Sequence, residues 1–135
     1  MTPMRTLAQH VEIWSARRFT LGSVDCAAFV TDWIDSQRGT EYSQLIEREW
    51  AGRPHRELLR MLTPGKLREA ATEVLGAPVE GGTAQPGDVL LSKNWRGEDA
   101  LGIAGESLCY APGFQGVGAL PLAGRVQAVW PLNGL

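Results

Sequence analysis

The chain has 135 residues, 44% of them hydrophobic and 21% charged, with a formal net charge of −2. That length gives a single domain, residues 1–135, able to bury a core, and the near-neutral charge gives no reason to expect nucleic acid or an anionic membrane as partner. Its two cysteines, Cys26 and Cys109, are too few for a disulfide scaffold or a CxxC metal site, so thiols in a reducing compartment are expected, with no metal and no cofactor.

No apolar run reaches the length of a membrane span, and the opening "MTPMRTLAQHVEIW" lacks the apolar core of a signal peptide. From Met4 to Arg18 the apolar residues Leu7, Val11 and Trp14 recur at spacings of four and three, which predicts an amphipathic helix. "FTLGSV" breaks that pattern. Asp25 then stands as an N-cap or first-turn residue, and a second helix runs from Cys26 to about Gln37, closed by Gly39. Cys26, Ala27, Ala28, Phe29, Val30, Trp33 and Ile34 leave little of its circumference polar, so it should be central rather than superficial.

Residues 40–76 read as two or three short helices, with Pro54 and Pro64 at starts and Gly52 and Gly76 at ends. Past that point "APVEGGTAQPG" reads as a loop. "DVLLS", "ALGIAG", "SLCYA", "GVGALPL" and "RVQAVWPL" are short runs punctuated by Gly and Pro, as in a small antiparallel sheet or curved half-barrel. Helices first and strands afterwards predict an α+β domain.

A cysteine at a helix N-terminus is a favoured nucleophile, because unpaired N–H groups and the helix dipole stabilise the thiolate. It still needs a proton acceptor, usually a histidine oriented by a third group. The chain has only His10 and His55, one in the first helix and one in the helical insertion, and both read as surface residues titrating near the ordinary imidazole value. Glu98 and Asp99 in "RGEDALG" stand close to the strand but read as solvated loop carboxylates, too weakly basic to activate a thiol. On its residue type alone Cys26 reads as a small apolar core residue rather than a catalytic one. "GGTAQPGD" and "PGFQGVG" are turns rather than phosphate cradles. Trp14, Trp33 and Trp50 suit a core or groove lining, whereas Trp95, beside Lys93 and Arg96 in a polar loop, suits an interface anchor or a lid.

The order "GSVDCAAFV", a helical insertion, "AQPGDVLL" and then "ALGIAGESLCYAPGFQGVGALPL" resembles the NlpC/P60 superfamily of papain-like cysteine peptidases. The match is nearest to the compact members associated with phage tails and gene-transfer-agent tails, which also carry a closing tryptophan, here Trp130. The resemblance implies a papain-like core helix packed on a small antiparallel sheet, Cys26 at the nucleophile position, Asp25 before it and Asp88 as the aspartate of "PGD". It puts the catalytic histidine at Leu101, which cannot accept a proton, and a further polar group in "SLCYAPG", which offers Cys109 and Tyr110. The function it implies is that of a tail-tip or tail-assembly (baseplate hub) component of a tailed phage or phage-like particle, keeping the fold without hydrolysis. Such a protein would assemble in the bacterial host cytoplasm into the virion, with other tail-tip or hub proteins as partners. The alternative is an active peptidoglycan cysteine endopeptidase or amidase using Cys26, its base supplied by His10, His55 or a neighbouring subunit.

Overall fold

The computed structural model describes residues 4–17, 26–44, 65–80, 83–93, 99–113 and 116–132. Helix α1 (Leu7–Ser15) begins at a capping box: the Thr6 hydroxyl accepts from the Gln9 amide while the Gln9 side chain accepts from the Thr6 amide. Helix α2 (Cys26–Arg38) closes at Gly39, whose φ of 68° suits a residue without Cβ. Helix α3 (Lys66–Leu75) ends at Gly76, whose amide donates to the Thr72 carbonyl.

Six strands follow: β1 (Val79–Glu80), β2 (Val89–Lys93), β3 (Asp99–Ala104), β4 (Leu108–Gly113), β5 (Gly116–Pro121) and β6 (Ala128–Trp130). They form one antiparallel sheet in the order β1-β6-β2-β3-β4-β5. Strands β2 to β5 are a meander, and the chain returns as β6 to the other side of β2. The α+β class expected from the sequence is therefore present. Some segments differ: Val79 and Glu80, read as loop, are a strand, and Pro112, Gly113 and Gly116 to Gly118, read as turn, belong to β4 and β5. The exposed Val79 and Glu80 carry no alternation; they are held by pairing with Val129 and Ala128, about fifty positions later.

Alternation along the strands divides the sheet into two faces. Val89 and Leu91 on β2, Leu101 and Ile103 on β3, and Ala128 and Trp130 on β6 join Phe29, Val30, Trp33 and Ile34 of α2 in the main core. Each such Val, Leu, Ile or Phe side chain taken out of water stabilises the fold by roughly 1.5–3 kcal/mol. Leu90, Ala104 and Cys109 point to the opposite face and form a smaller cluster with Ala84, Leu122 and Val126. Two indoles tie the layers together: Trp33 Nε1 donates to the Gly87 carbonyl at 2.8 Å and Trp130 Nε1 to the Gly76 carbonyl at 3.0 Å. Among the described residues no helix is long and apolar enough to cross a membrane.

Candidate functional site

Cys26 is the first residue of α2, at the positive end of the helix dipole. Its side chain is half-buried and packs against the main core, the cluster to which Leu101 belongs. Helix α2 packs on β3 and β4, so the cysteine-bearing helix faces the strand on which the resemblance expects a histidine. Leu101 is 4% exposed and opposite Leu91 in register, a packed core residue with no polar atom on its side chain.

The residues expected to supply a third polar group separate. Tyr110 packs against the main core, while the neighbouring Cys109 points to the other face, where it bonds the Ser92 side chain. Burial pushes the Cys109 thiol up to about 11, so it stays protonated at neutral pH. Opposite faces of one sheet also keep the two thiols apart, and neither is in a disulfide. Gly102 is what permits this packing: a Cβ there would sit 2.6 Å from Cys109 Sγ and 2.8 Å from the Tyr110 carbonyl oxygen.

His10 is not the surface residue expected. It is fully buried between α1 and α2, and desolvation lowers its pKa from 6.5 to about 4, against the opposing pull of its bond to Phe29 and of Asp32. Both ring nitrogens are committed. Nε2–H donates to the Phe29 carbonyl at 2.9 Å, and Nδ1 accepts from the Arg5 guanidinium at 3.0 Å. A carbonyl can only accept and a guanidinium can only donate, so the neutral Nε2–H tautomer is the one the site holds. The sequence does carry a signal for this burial, since position 10 lies three positions after Leu7 and four before Trp14, beside them on the same helical face.

Asp99 differs too. It opens β3 directly across from Lys93, whose ammonium it accepts from, and it also accepts from the Gly65 amide at 3.2 Å. The Lys93 bond holds its carboxyl below the usual carboxylate range. Asp88 is buried and structural, accepting from the Gln85 and Leu132 amides at 2.9 and 3.2 Å and so fixing the turn into β2. Asp25, His55, Trp95 and Glu98 lie outside the described residues.

Residues 3–132 match a protein family described as "Domain of unknown function (DUF6950)". The chain belongs to that family. No curated protein and no solved structure matches it. The DUF6950 match runs from before α1 to beyond β6, so the Cys26 helix, the Leu101 strand and the His10 junction are all parts of one family unit.

Within this DUF6950 domain, a thiol nucleophile would need a base within about 2.6–3.2 Å. Among the described residues, His10 has no ring nitrogen to spare, Asp99 is tied to Lys93 and Leu101 cannot take a proton. No group of three His, Cys, Asp or Glu among them could hold a metal ion. A cleft of about 330 Å³ opens between Arg5, Leu7, Trp33, Gln37, Gly87 and Leu132. Trp33 lies seven positions beyond Cys26, roughly 10 Å along the helix axis, so this cleft belongs to the far end of α2.

Proposed function

We propose that this DUF6950 chain is a non-hydrolytic structural component of a tailed phage or phage-like particle, at the tail tip or baseplate hub, built on a papain-like fold of NlpC/P60 type. The observation that carries the loss of hydrolysis is the α2–β3 junction: the helix that begins with Cys26 faces a strand whose base position is a packed leucine. The particle setting rests on the resemblance in "GSVDCAAFV", "AQPGDVLL" and "ALGIAG". The second reading, a peptidoglycan cysteine endopeptidase or amidase, has one observation in its favour, the partial exposure of Cys26 at a helix N-terminus.

The test is to replace Cys26 by alanine in the particle-producing strain. Under the structural reading, Cys26→Ala particles assemble and infect or transfer DNA at wild-type yield, and the protein copurifies with tail hub proteins. A folded Cys26→Ala protein that leaves particles unable to breach the cell wall would overturn it in favour of the peptidase. Absence of the protein from purified particles would remove the tail assignment.

A further inference from the structure

We propose that α1 is an acid-released clamp on α2, with His10 as its latch. The imidazole lies within the junction of the two helices, its centroid 4.7 Å from the Phe29 ring and 5.3 Å from the Trp33 ring. One nitrogen already carries a proton for the Phe29 carbonyl, so a second proton must enter at Nδ1. There it meets an N–H of Arg5. Two donors cannot form that bond, and the contact that fixes the start of α1 is lost.

The latch is wired to the rest of the helix. The Arg5 nitrogen that donates to His10 also donates to Asp32 Oδ2 at 2.9 Å, and Trp14 Nε1 donates to the same oxygen at 2.8 Å. Gln37 Nε2 donates to the Arg5 carbonyl at 2.8 Å. The start, middle and end of α1 are therefore held to α2 by one network with His10 at its centre. Of the charges around the ring, Asp32 at 4.0 Å favours a proton, and Arg5 and Arg17 oppose one. Elsewhere on α2, Asp35 is occupied by Thr40, Tyr42 and Ser43, and Arg38 is exposed. Strands β4 and β5 pack against α1 and carry no charge, their titratable groups being Tyr110 and, on the far face, Cys109.

The closed junction takes a proton only near pH 4, whereas a histidine released to water takes one at 6.5. Between those values acid favours the open clamp, by up to about tenfold in population for each pH unit.

NMR of the whole chain tests this, following the His10 ring nitrogens and the exchange protection of α1 amides, corrected for intrinsic rate, from pH 6.5 to 4.5. The expected result is a largely neutral Nε2–H His10, with α1 protection below that of β2 and β3 at every pH and falling towards tenfold per pH unit. In His10→Gln, whose carboxamide can accept from Arg5 and donate to Phe29 but cannot be protonated, the fall disappears. A His10 that protonates near 6.5 in the folded chain, an α1 protection that is flat or equal to that of β2 and β3, or an unchanged fall in His10→Gln would each overturn the proposal. If His10→Gln does not fold, the wild-type slope decides alone.

Discussion

The same imidazole that would serve as a base in an exposed cleft is, at position 10, a neutral strut between a carbonyl and a guanidinium. Its folded pKa lies below its unfolded value, so the unfolded chain binds the extra proton first. The stability this residue contributes is complete above pH 6.5 and is lost as pH falls from 6.5 to about 4, where the loss levels off. The size of that loss is about 3 kcal/mol. Denaturant unfolding at several pH values should show it in the wild type and not in His10→Gln. Leu101 can be judged in the same way. Leu101→Ala should destabilise by about 2–4 kcal/mol, as a leucine removed from a packed core does, measured as a shift of the denaturation midpoint. A change within a few tenths of a kcal/mol would mean that the side chain lines an open site instead.

At the level of elements, much of the layout was legible. The apolar circumference of α2, the Gly and Pro punctuation and the Val- and Leu-rich runs place the core helix and five of the six strands, because those signals are local. Non-local contacts were not legible. Strand β1 exists through its partners on β6. Asp99 lies in a strand rather than a loop because Lys93 lies across from it. Alternation in "LCYA" separates Cys109 from Tyr110, but only the packing of helices on the sheet says which of them joins the main core with α2. His10 was concealed by its residue type, since a polar letter inside an apolar stripe reads as surface until its partners are known. Two predictions belong here. Gly102→Ala should push β3 and β4 apart at Cys109 and the Tyr110 carbonyl, costing roughly 1–3 kcal/mol by thermal unfolding. Asp35→Ala should cost roughly 3 kcal/mol, because this buried carboxylate accepts from the Thr40 hydroxyl and the Tyr42 and Ser43 amides, which would be left unpaired.

For the whole molecule, the helical layer and the six-stranded sheet bring a cysteine-bearing helix end and an apolar strand into one core. An enzyme of the papain type would keep that junction polar and open, while a retained scaffold can fill it with leucine, and this chain has leucine. The most direct measurement is the rate at which iodoacetamide alkylates Cys26 in the folded protein between about pH 5 and 9, with the modified residue located by mass spectrometry. The scaffold reading predicts a rate no faster than that of a free cysteine thiol at every pH, rising only as an ordinary thiolate forms. Rapid alkylation persisting well below pH 7 would show an activated thiolate and contradict it.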